Sequence, residues 1–187
     1  ARLRQATGDP AGAQADLAEL DRRLPASAQL RADMADAHAD QQRLPEALRQ
    51  WAQWMDTHPN DGGLPGVLNA RCWLRARLGV DLDLALDDCR RAVRLASRET
   101  AYHDSLGWTL LRLNDAARAK KAFDTAIELQ PKAAWSLYGR ALVLLRQGQP
   151  EAAARDLAAA RQQRPDIDAE VKRAGFPVPD ELPAAGA

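Results

Sequence analysis

Aromatic residues are scarce, at 5% of 187 residues, so the 46% of the chain that is hydrophobic consists mostly of alanine and leucine. Those two residues favour helix and suit close approach of one helix to another. An excess of charge is missing as well. The 26 cations balance 26 carboxylates for a formal net charge of +0, which argues against nucleic-acid binding or membrane attraction driven by bulk electrostatics. No apolar run approaches the length needed to cross a bilayer, so no membrane insertion is expected. The chain has no signal-peptide pattern at residue 1. Histidine is rare, and His38, His58 and His103 stand far apart with no ligand-like spacing, so no metal site is expected. Neither a phosphate-cradling glycine loop, nor Gly-x-Ser-x-Gly, nor His-Glu-x-x-His occurs. The sequence therefore reads as a non-enzyme with no catalytic residue and no cofactor.

What is present is periodic. Pro25, Pro59, Pro131 and Pro165 close four helical segments, and two of the three gaps between them are 34 residues. The same 34-residue step relates Ala119 to Ala153, Phe123 to Leu157 and Ala126 to Ala160. Small residues and a terminal proline in register at this period mark a helical repeat array, in which stacking creates the working surface.

The helices follow from that frame. Asp9 to Leu24 reads as a second helix with Ala13, Leu17 and Leu20 on one face. It belongs to an incomplete first repeat over residues 1–27, whose Ala1 to Gly8 form the last turns of a first helix ending at a glycine stop. The expectation is a piece of a longer polypeptide. Residues 28–61 form a helix (Ala28 to Gln41), a turn at Arg43 to Pro45 and a second helix (Glu46 to Thr57). Asn60 to Pro65 is a breaker cluster, a long inter-repeat loop or a hinge, with the loop favoured. Residues 65–99, 100–133 and 134–167 give three further helix pairs. A short polar capping helix over 168–176 and a disordered Pro/Ala-rich tail over 177–187 complete the chain.

Leu106, Gly107, Ala119, Phe123, Ala126 and Pro131 sit as they do in the tetratricopeptide repeat, and the sequence resembles that family over nearly its whole length. The resemblance implies an all-α fold, a right-handed α-solenoid of antiparallel helix pairs with first helices lining a concave side. The phrases Leu68-Asn69-Ala70-Arg71-Cys72-Trp73 and Ser136-Leu137-Tyr138-Gly139-Arg140 also resemble bacterial repeat regions that follow a transglutaminase-like or retropepsin-like domain. Two departures stand out. Trp51 and Trp54 occupy positions where loose packing is expected, and Ser97 replaces the closing proline.

Cys72 and Cys89 lie about equally far from a turn at Gly79 to Asp81, as Gly107 and Phe123 do around Asn114 and Asp115. Residues placed in this way sit side by side in a helical hairpin, so a disulfide is sterically reasonable. Two readings stay open. An oxidised pair points to an oxidising compartment such as the periplasm, whereas a reduced pair would be two small buried hydrophobes and fits the cytoplasm.

Aligning the first helices on Cys72, Gly107 and Ala141 exposes a candidate partner-binding set. It comprises Asn69, Asp104 and Tyr138, then Trp73 and Trp108, then Arg77, Arg112 and Arg146, with Trp135 adding a further ring. Such residue types dominate binding hot spots. The tryptophans equally suit inter-repeat core, and arginine near a helix C-terminus is favoured by the dipole alone. Asp33, Asp36 and Asp40 make an acidic stripe on the earlier first helix. Carboxylate-clamp repeats carry lysine and asparagine on this face, but the matching positions here show no cationic clamp. The expected function is a scaffold holding a protein or peptide segment in its groove. The alternative is an accessory or dimerisation domain serving an upstream catalytic domain.

Overall fold

The computed structural model describes residues 8–179. The expectations for residues 1–7 and 180–187 lie outside the described residues. Ten helices are found among those described: α1 (Pro10–Arg23), α2 (Leu30–Asp40), α3 (Leu44–Thr57), α4 (Leu64–Leu78), α5 (Leu82–Leu95), α6 (Thr100–Arg112), α7 (Ala116–Leu129), α8 (Ala134–Arg146), α9 (Pro150–Gln163) and α10 (Ile167–Arg173). No strand occurs among the described residues, and no helix there is long and apolar enough to cross a membrane.

Local chemistry sets the ends. The Asp9 carboxylate accepts the Gly12 N–H at 2.8 Å and Asp115 accepts that of Arg118 at 3.0 Å, each satisfying a donor the first turn leaves open. Proline opens α1, α3 and α9, where its missing N–H costs nothing. Pro25, Pro59, Pro131 and Pro165 each stand two residues past a helix, as their spacing predicts. Within hairpins the chain turns on a left-handed residue, with φ 58° at Asn114 and 68° at Gly148, again one repeat apart.

The chain divides into two compact units, Ala1–Ala70 and Arg71–Ala187. In the first unit, α2 pairs with α3. Trp51 and Trp54 are each only 1% exposed, and their indole N–H groups donate to Asp36 Oδ1 and Gln29 Oε1, both at 3.2 Å. The expected loose packing does not occur. Both rings are buried with their polar tips satisfied, which removes the usual penalty for enclosing an indole. Asp36 is thereby drawn out of the acidic stripe, leaving Asp33 and Asp40 exposed. Buried Arg31 donates to the Leu24 and Pro25 carbonyls past the end of α1, to Asp21, and to Gln50.

In the second unit each helix packs on the next from α5 to α10, and α6 also packs on α8. The core runs through Trp108, Phe123, Tyr138, Leu142, Leu157, Ile167 and Val171. Phe123 of α7 lies in a slot between Gly107 of α6 and Gly139 of α8: a Cβ at Gly107 would come 2.5 Å from its ring, and one at Gly139 nearer still. Cys72 and Cys89 meet at disulfide distance with Cα atoms 5.5 Å apart, as their symmetry about the turn allows. Arg71 and Arg75 both bind Asp88 across the α4–α5 hairpin, and Arg140 binds Asp156 across the α8–α9 hairpin. In the α6–α7 hairpin Leu106 and Ala122 take those places, so apolar residues stand where the other two hairpins carry the ion pair.

The expected polar capping helix is amphipathic rather than merely solvating. Ile167 and Val171 are fully buried, and Phe176 beyond α10 is 3% exposed. A seven-residue helix buries so much because its inner face completes the array's last hydrophobic layer.

Candidate functional site

The first helices α4, α6 and α8 carry the residues that the sequence groups together. Their fates differ. Trp108 and Tyr138 have no exposed surface. Tyr138 donates its hydroxyl to Asp168 Oδ1 at 2.8 Å and so fastens α10 to α8. In this structure both rings lie beneath the C-terminal segment, Trp108 against Phe176 and Tyr138 against Asp168. Asn69 belongs to the first unit and is half-buried in it.

Two members of the arginine ladder, Arg112 and Arg146, join one first helix to the one before it. Arg112 at the end of α6 donates to the Ala76 and Arg77 carbonyls that close α4, each at 3.1 Å. Arg146 at the end of α8 donates to the Leu111 carbonyl near the end of α6 at 3.3 Å. Each guanidinium thus adds a donor to carbonyls in the last turn of the preceding first helix, where the helix dipole favours a cation. Burial lowers the basicity of both arginines.

Two of the openings along this wall border Trp135. One, of about 330 Å³, is lined by Trp73, Arg77, Trp135, Glu170, Arg173 and Ala174. Trp73 and Trp135 are half-buried and meet edge to face at 5.6 Å, so each keeps part of its ring toward the trough. The second, of about 440 Å³, adjoins Trp135 and has Asp104, Ser136, Lys132 and Arg164 among its lining residues. Asp104 lines it, half-buried, and accepts from Ser136 Oγ at 2.6 Å. Crowding by protein raises its carboxyl from the ordinary 3.8 to about 7, against the lowering effect of the Ser136 hydrogen bond. No group of three or more potential metal ligands exists among the described residues.

Sequence reasoning missed Phe176. Its ring stacks on Trp73 at 5.6 Å, tilts against Trp108 at 4.4 Å, and lies 4.7 Å beneath the Arg112 guanidinium. The available signal was a lone phenylalanine placed before a proline just past the last helix, in a chain with two phenylalanines in all.

The comparisons agree with the helical-repeat fold. The family model described as "Tetratricopeptide repeat" matches residues 1–60 and 105–166. No curated protein matches. A crystal structure of MamA superposes with a TM-score of 0.70 at 15% identity, covering 92% of this chain and 95% of that one. MamA 41-end from Desulfovibrio magneticus RS-1 gives 0.73 at 16%, covering 89% and 92%. TTC0263, a thermophilic TPR protein in Thermus thermophilus, gives 0.66 at 18%, covering 78% and 80%. At such identities the likeness establishes a shared helical-solenoid fold.

Proposed function

The chain belongs to the tetratricopeptide repeat family, and from that membership we propose that it is a scaffold holding a protein or peptide segment against the first-helix wall of its second unit. The observation that carries the reading is the pair of half-buried rings, Trp73 and Trp135, bordering a trough with Arg77, Arg173 and Glu170 at its edge. Rings with one face fixed by packing lose little freedom when the other face is covered, so they favour binding at low entropic cost. Asp104 and Ser136 in the adjoining cleft supply a neutral or anionic acceptor for a backbone N–H or a cation. Nothing in this arrangement calls for chemistry on the bound segment. An oxidising compartment such as the periplasm fits the Cys72–Cys89 juxtaposition.

The test is capture of partners from the native extract on immobilised protein, followed by affinity measurement with the recovered protein. Trp135→Ala is expected to weaken binding by about tenfold or more, as loss of a tryptophan anchor does, with a small change in melting temperature. Undiminished affinity in the folded variant would defeat the reading.

A further inference from the structure

The C-terminal side of α10 does something the repeat frame does not require. After Arg173 the chain turns at Gly175, with φ +86°, and runs back toward the ends of the first helices α4 and α6. Two kinds of contact hold it there. The Gly175 carbonyl accepts from Arg112 Nη2, and the Phe176 ring takes the place between Trp73, Trp108 and the Arg112 guanidinium. One main-chain acceptor and one aromatic ring are what a bound peptide would offer. The fit is close, since a Cβ at Gly175 would lie 2.8 Å from the Arg77 carbonyl oxygen. Beside it lies an open cleft of about 550 Å³ lined by Leu111, Asn114, Arg146 and Lys172.

We propose that Gly175–Phe176 is a built-in occupant of a receptor for aromatic side chains, formed by Trp73, Trp108 and Arg112, and that a partner segment bearing a phenylalanine-like residue displaces it. This rests on the scaffold reading above and specifies both its ligand chemistry and its regulation. The receptor alternates between two equivalent occupants, its own chain's ring and the partner's, so the closed form lowers apparent affinity by the fraction of time the receptor is open. Arg112 serves both forms, because its donors and its charge over the ring suit any aromatic residue preceded by a carbonyl.

The test uses the full-length protein and a fluorescein-labelled peptide with the sequence of residues 173–179. Phe176→Ala removes the occupant. Gly175→Ala leaves the ring intact but expels the segment through strain at positive φ and the collision with Arg77. Each variant should bind the peptide about tenfold or more tightly than the wild type does, and a control peptide with alanine for phenylalanine should not bind. Variants that keep the wild-type helical circular dichroism yet bind the peptide no better would overturn displacement. So would loss of helix in both, which makes the segment a permanent part of the core. If displacement fails while Trp135→Ala still weakens partner capture, the scaffold reading stands without it.

Discussion

Trp108 touches Phe123, Trp135 and Phe176 and has no exposed surface. Replacing it with alanine should cost about 3–5 kcal/mol of stability, the range for deleting a large buried ring, measured by denaturant unfolding. Its spacing on α6 is legible in the sequence. That its outer side is covered is not, because Phe176 comes from beyond the later helices α7 to α10. Asp104 makes a second residue-scale expectation. Its folded carboxyl is raised to about 7, so the folded chain binds this proton more tightly than the unfolded chain. The contribution is complete below the ordinary carboxylate range and is lost as pH rises through about 7. Asp104→Asn should therefore flatten stability between about pH 4 and 7 relative to the wild type. Asp21 acts in the opposite sense and at lower pH: Arg49, with Gln50 and Arg31, holds it well below the usual range, and its contribution fades as acid protonates it.

The hairpin is the natural element of this fold, and its packing depends on matched partners. Gly107 and Gly139 leave room for one phenylalanine ring. Gly139→Ala should destabilise by about 1–3 kcal/mol through overpacking, and pairing it with Phe123→Leu should recover part of that. A thermal-melt double-mutant cycle reads the coupling. Reduction of Cys72–Cys89, separated by 17 residues, should cost about 3 kcal/mol on the loop-entropy account. Titration finding two free thiols in denatured protein from its native compartment would remove that contribution. The period, the helix ends and the facing cysteines were legible because they depend on local propensity and on symmetry about a turn. The tight burial of Trp51 and Trp54 was not, since it depends on hydrogen-bond acceptors from the preceding helix and the turn before it.

At the scale of the whole molecule, the arginine ladder shows how one repeat recognises the next. Arg112 and Arg146 look from the sequence like a row of ligand contacts, yet each reaches back to carbonyls of the previous first helix. Arg112→Ala should therefore loosen both the stack and the C-terminal segment, seen as faster hydrogen exchange at the end of α4 and around Phe176. Arg77 stays with the trough, so the candidate surface narrows to the open edges of Trp73 and Trp135 with their charged neighbours. That narrowing makes Trp135→Ala the informative variant for the trough, while Trp108→Ala, which touches both the core and the proposed ring receptor, reports on stability.

Helical class, repeat length, hairpin turns and the juxtaposed cysteines were fixed by the amino-acid order, since each arises from interactions within about one repeat of the residues concerned. Which aromatic faces remain open was decided only in three dimensions. A ring on a first helix can meet solvent, a neighbouring repeat or a returning terminus, and only the assembled wall selects among them.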